Sequence, residues 1–120
     1  MGSALGGVLR FALSSLLAQR LGDRFPVGTL LVNITGSILI GALAGLSAKN
    51  NSFQAATGLR QFLMVGVCGG YTTFSAFSLQ SMELFRAGEM GPALLYIASS
   101  SLLCIGGAAA GYFVAQMALR

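Results

Sequence analysis

Gly66-Val67-Cys68-Gly69-Gly70-Tyr71-Thr72-Thr73-Phe74-Ser75-Ala76-Phe77-Ser78 lies inside an uncharged stretch that runs from Gln61 to Met82. The stretch is long enough for the ~20 residues a helix needs to cross the hydrocarbon core of a bilayer. Two adjacent glycines followed by two threonines make a poor continuous helix, so the sequence predicts a span broken near mid-depth. A break frees backbone carbonyls and amides, which are tolerated in a membrane only when buried in protein or bound to an ion or water. Freed carbonyls suit a hard cation such as sodium. Freed amides and hydroxyls suit an anion. Phe74 and Phe77 follow at i, i+3 and share a helical face. Two such rings usually serve packing or face lipid, but the edge of an aromatic ring carries positive potential and can also face an anion.

Working outward, two more uncharged stretches run from Phe25 to Ala48 and from Met90 to Leu119. The N-terminal segment from Ala4 to Leu21 is apolar but interrupted by Arg10. A signal peptide fits it poorly, because the basic residue lies inside the apolar region rather than before it. The expectation is a single all-α membrane domain over 1–120, with four transmembrane helices at about 4–21, 26–48, 61–82 and 91–119. Short loops join them at Gly22 to Pro26, Lys49 to Gly58 and Phe85 to Gly91. Pro26 and Pro92 fall near span starts, where a missing N–H costs nothing. Composition agrees. Of 120 residues 55% are hydrophobic and 8% charged, against about 25% charged in soluble domains. The formal net charge is +4, but the basic residues are scattered, which argues against nucleic-acid binding. Cys68 and Cys104 both lie in apolar stretches and read as free buried thiols rather than as a disulfide or a zinc site.

Charge placement bears on topology. The side holding the N-terminus, the second loop and the C-terminus carries Lys49, Arg60 and Arg120, with Arg10 if it snorkels that way. The other side carries Arg20, Arg24 and Arg86. Four against three is a weak bias under the positive-inside rule. The chain is therefore expected to insert in both orientations, and two copies can pair head to tail. Four short helices also leave little room for a pore within one subunit, which points to an oligomer. The glycines at 28, 36, 41, 45, 106, 107 and 111 are read as close helix packing.

Polar groups in a bilayer need a reason. Asn33 is the strongly polar residue at depth in the second span, and interhelical hydrogen bonding is its plainest role. Tyr96, Ser100 and Cys104, at i, i+4 and i+8, form one stripe on the last helix, flanked by Ser99 and Ser101. The stripe is either a track for an ion shedding water or a set of small residues bonding back to their own helix. Arg10 either snorkels or faces an aqueous vestibule and attracts anions. The three acids, Asp23, Glu83 and Glu89, fall outside or at the rim of the spans, and there is no histidine.

These residues resemble the Fluc (CrcB-type) fluoride channels. The resemblance covers nearly the whole chain. It includes Gly6-Gly7-Val8-Leu9-Arg10-Phe11, Pro26-Val27-Gly28-Thr29-Leu30-Leu31-Val32-Asn33 and the glycine-threonine-phenylalanine run from Gly69 to Ser78. It implies an antiparallel, dual-topology homodimer with two pores. By motif, Asn33 would donate its amide to fluoride, Phe74 and Phe77 would be ring-edge ligands, and Thr73 would join them in the pore. Tyr96, Ser100 and Cys104 fall on the family's polar track, and Arg10 matches its vestibule arginine. Gly69 and Thr72 match the positions whose backbone carbonyls hold a central structural sodium ion (Na+) at the dimer interface. Tyr71 and Ala76 depart from the aliphatic and hydroxyl residues common there, and Cys104 replaces a serine or threonine with a weaker donor.

The implied function is passive fluoride export rather than catalysis, typically across a bacterial inner membrane. Hydrofluoric acid enters neutral, ionises in a less acidic cytoplasm, and leaves as the anion through the channel. A small four-helix drug exporter is the first rival, but it needs a membrane-embedded carboxylate. An intramembrane enzyme would need an activated acid-base pair. A purely structural membrane subunit is the third alternative.

Overall fold

The structure, a computed structural model, describes residues 1–21, 25–49 and 56–118. Helix α1 spans Gly2–Leu21 and α2 spans Val27–Lys49. The third pass runs from Thr57 to Arg86 in pieces. It comprises α3 (Thr57–Gln61), a π-helical stretch (Phe62–Cys68), the single turn α4 (Gly69–Tyr71) and α5 (Phe74–Arg86). Helix α6 spans Met90–Ala118. Among the described residues three passes, Val27–Ala48, Thr57–Arg86 and Met90–Ala118, are long and apolar enough to cross a membrane. Helix α1 has the length, but Arg10 and Arg20 lower its apolar character.

The third pass outruns the expected 61–82, because charge alone does not stop a helix. Arg60, Glu83 and Arg86 lie within its helical pieces. Its real stop is Gly88, at φ 78°, a left-handed conformation that costs glycine least. There Gly88 N–H donates to Phe85 O at 3.1 Å and Glu89 N–H to Leu84 O at 2.9 Å. This is a Schellman closure, which satisfies carbonyls orphaned at the helix end. Arg24, Arg120 and the middle of the expected loops at 22–24 and 50–55 lie outside the described residues, as does the side chain of Lys49.

Large hydrophobics such as Leu9, Phe11, Val65, Leu102, Ile105 and Phe113 are exposed. Few are buried, with Tyr96, Val32 and Cys68 the largest fully enclosed side chains. A chain that turns its oily residues outward has lipid or another apolar surface as its solvent, and the protein is an integral membrane protein. The longest dimension, 50 Å, exceeds the ~30 Å hydrocarbon core.

Glycines set which helices touch. A Cβ on Gly41 or Gly45 would run into the backbone of Ala108 or Tyr112, and one on Gly111 into that of Ile38. Helices α2 and α6 therefore meet backbone to backbone and run parallel, forming the most extensive helix pair. Gly2 and Gly6 press likewise on the π-helical stretch and α4, where Gly66 and Gly70 return the contact. The glycine pair thus does not break the chain. Gly69 and Gly70 are helical, and the backbone leaves the helix after Tyr71, at Thr72 (φ −82°, ψ 156°) and Thr73 (φ −148°, ψ 119°). Gly70 is there because α1 approaches too closely for a side chain.

Candidate functional site

The break falls midway along the third pass and is held from outside it. Asn33, on α2, accepts from Thr73 N–H through Oδ1 at 2.8 Å and donates from Nδ2 to Thr73 O at 3.1 Å. The planar side-chain amide thus stands in for a missing strand neighbour and satisfies both polar groups of one extended residue. Thr73 is 9% exposed, so without Asn33 those groups would lie unpaired in an apolar setting. Thr73 also caps α5, its Oγ1 accepting from Ala76 N–H at 3.2 Å, a usual job for threonine at this position. Asn33 is thus held against the break, with its carbonyl and one N–H engaged and one N–H left for a ligand.

Beside the break lies a cavity of about 350 Å³. Helix α2 lines it with Asn33 and Ser37, the third pass with Thr72, Thr73, Phe74 and Phe77, and α6 with Ser100, Ser101, Cys104 and Ile105. Six of the seven residues expected in the pore therefore share one cavity: Asn33, Thr73, Phe74, Phe77, Ser100 and Cys104. The two phenyl rings pack together, centroids 5.5 Å apart and tilted 52°. Phe74 is 78% exposed, a large apolar surface left for something else to cover. Ser100 is the reverse: only 6% exposed, with an Oγ that is buried and lacks a hydrogen-bond partner. An unpaired buried hydroxyl costs about 1–3 kcal/mol, unless a ligand supplies the partner.

Tyr96 does not line this cavity. It is fully buried behind Phe77, with ring centroids 5.2 Å apart, and its hydroxyl donates to Gln80 Oε1 at 2.9 Å. Gln80 in turn lines a second cavity of about 260 Å³ with Ser14, Ser15 and Thr29. Tyr96 and Gln80 thus stand between the two cavities, with Phe77 on the other side. Arg10 lines neither of these two cavities, but it lies one helical turn before Ser14 on the same face of α1, toward the second cavity.

Thr73 N–H, which in a continuous helix would bond Gly69 O, is turned to Asn33 instead. Ala76 N–H, which would bond Thr72 O, goes to the Thr73 side chain. The carbonyls of Gly69 and Thr72 are thereby released from helical duty, and Gly69 is exposed. Neutral backbone carbonyls are the kind of ligand a hard monovalent cation takes. On the neighbouring face, Thr35 Oγ1 and Tyr71 Oη lie 2.9 Å apart beside a third, apolar cavity.

Ser37 and Gln80 escaped the reading of the sequence. Ser37 follows Asn33 by four positions and Gln80 follows Phe77 by three, so helical spacing alone would have put both on the right faces.

A family model described as "CrcB-like protein, Camphor Resistance (CrcB)" matches residues 1–112. The chain is 46% identical over 112 residues to "Fluoride-specific ion channel FluC 3" of Brucella suis, covering 93% of this chain and 84% of that one. It is 49% identical over 105 residues to "Fluoride-specific ion channel FluC" of Opitutus terrae, covering 88% and 80%. A protein of the same description from Nitrobacter winogradskyi is 46% identical over 116 residues, covering 97% and 90%. These relatives are channels by name, a non-enzymatic class, and the enzyme alternative is set aside. With both the family match and the close relatives spanning almost its full length, the chain belongs to the CrcB family.

Proposed function

We propose that the protein is a fluoride-selective passive channel that exports the anion from the cytoplasm across a bacterial inner membrane. The observation that carries it is the buried, unpartnered Ser100 hydroxyl in the cavity shared with Phe74, Phe77 and the N-terminus of α5. The described polar side chains lining this cavity are uncharged and several can donate, and the positive end of the α5 dipole opens beside it. Fluoride is small and strongly hydrated. A pore must replace its water with several directional donors, each weak enough to let the ion go. Asn33 offers one N–H, Ser100 and Thr73 hydroxyls, Cys104 a thiol, and the two phenyls their ring edges. Tyr96 would join once its hydroxyl leaves Gln80. Arg10 would raise the anion concentration near the second cavity. Among the described residues no carboxylate lines any of the three cavities, and a proton-coupled drug exporter needs one within the membrane.

The working unit we propose is an antiparallel homodimer with two pores. The near balance of basic residues on the two sides permits it, and the exposed ring of Phe74 is the kind of surface a second copy would cover. The carbonyls of Gly69 and Thr72 would hold a structural sodium ion between the subunits, two from each copy, its charge offsetting repulsion between two neighbouring anion paths.

The test is fluoride efflux from liposomes holding the purified protein, with chloride as control. Rapid fluoride loss with negligible chloride leak is expected. Absence of fluoride flux from folded protein would move the structural-subunit alternative to the front.

A further inference from the structure

Helices α2 and α6 run parallel past the first cavity, and their glycine contacts fix the register. Gly41 meets Ala108 and Gly45 meets Tyr112, each pair being 67 positions apart. The same offset sets Asn33 level with Ser100, and Ser37 level with Cys104, and all four line the cavity. Its polar wall therefore has two levels. On the first, Asn33 and Ser100 face the break. On the second, the α6 contribution is a thiol, a weak donor, and the α2 contribution is a serine.

The hydroxyl of that serine is not bonded to its own helix. Hydroxyls in membrane helices usually bond back to a carbonyl one turn earlier. Thr35 does so to Leu31 and Val32, Thr72 to Cys68, Ser81 to Phe77 and Ser99 to Tyr96. Among the described residues Ser37 Oγ makes no hydrogen bond, and neither does Ser100 Oγ. Three unbonded hydroxyls, that of Ser37 on α2 and those of Ser100 and Ser101 on α6, belong to the lining of one cavity, and that of Ser37 is level with Cys104. Asn33 differs, since most of its amide is spent on Thr73.

We propose that Ser37 is a further ion-contacting residue of the pathway, donating its hydroxyl to fluoride at the level of Cys104. It is the stronger donor there, so the anion is passed from Ser100 to Ser37 more than to the thiol. The inference rests on the fluoride-channel reading.

The experiment compares fluoride efflux from liposomes for the unaltered chain, Ser37→Ala, Cys104→Ser and the double variant Ser37→Ala/Cys104→Ser, each checked for a monodisperse elution profile. Ser37→Ala is expected to slow fluoride about fivefold, the equivalent of one neutral hydrogen bond of about 1 kcal/mol. The double variant is expected to recover most of that loss, because it moves the hydroxyl across the pore at the same level. A rate unchanged in Ser37→Ala overturns the proposal. So does a loss that Cys104→Ser leaves uncorrected, which assigns Ser37 to packing. If Ser37→Ala does not elute cleanly, Ser37→Gly, which also lacks the hydroxyl, is judged by the same outcomes. An unaltered chain silent to fluoride refutes the channel itself and this inference with it, a pattern distinct from a conducting chain with an insensitive Ser37→Ala.

Discussion

Replacing Asn33 by alanine should damage the fold and the conduction together, whereas replacing Ser100 by alanine should damage conduction alone. Asn33 makes two hydrogen bonds to Thr73, at 2.8 and 3.1 Å. Alanine leaves the N–H and the C=O of an almost fully buried residue without partners, and each such group costs about 1–3 kcal/mol. The expected loss is thus about 2–6 kcal/mol, enough to lower the unfolding temperature by at least about 5 °C. Ser100→Ala removes a hydroxyl that has no partner in the first place. Its unfolding temperature should hold or rise, while fluoride flux falls by the loss of one donor. Thermal unfolding in detergent, followed by size-exclusion recovery, measures the first quantity, and liposome efflux measures the second. An Asn33→Ala protein as stable as the unaltered chain would refute the idea that this side chain holds the break. In that case Asn33 would be a pore ligand and nothing more.

Two other perturbations test the architecture. Gly41→Leu should abolish assembly of the folded protein, since even a Cβ there would overlap the Ala108 backbone; size-exclusion chromatography of the detergent extract reads this, and a normal profile would mean that α2 and α6 do not meet at this point. Adding lysines to the loops on one side should force a single orientation and eliminate fluoride flux. Accessibility labelling reports the orientation, and full activity in a population inserted one way only would sink the antiparallel pairing.

Much of the site was legible in the sequence because membranes make polarity scarce. In a chain this apolar, Asn33, Thr72, Thr73 and the Tyr96-Ser100-Cys104 stripe stand out, and all but Tyr96 line one cavity. The broken third pass was legible too, though for a partly mistaken reason. The poor helix propensity of two glycines followed by two threonines placed a break in this run, whereas tertiary contact with α1 is what selects small residues at Gly66 and Gly70. The chain turns extended at the threonines because Asn33, about forty positions away, offers an amide that pays for one unhelical residue. No local rule can supply that partner. The π-helical stretch from Phe62 to Cys68 left no local signature either.

What the sequence determined by itself is the class of molecule. The lengths of the uncharged runs and the lack of charge within them demand a bilayer, since hydrocarbon accepts only helices that satisfy their own backbones. What only the tertiary structure decided is which polar groups are free to meet an ion. Asn33 is largely committed to Thr73, and Tyr96 is tied to Gln80 behind Phe77. Ser100 and Ser37 keep their hydroxyls unspent. Spacing places a side chain on a face, but a hydrogen bond needs a partner from another segment, and only the packed chain says which donors already have one.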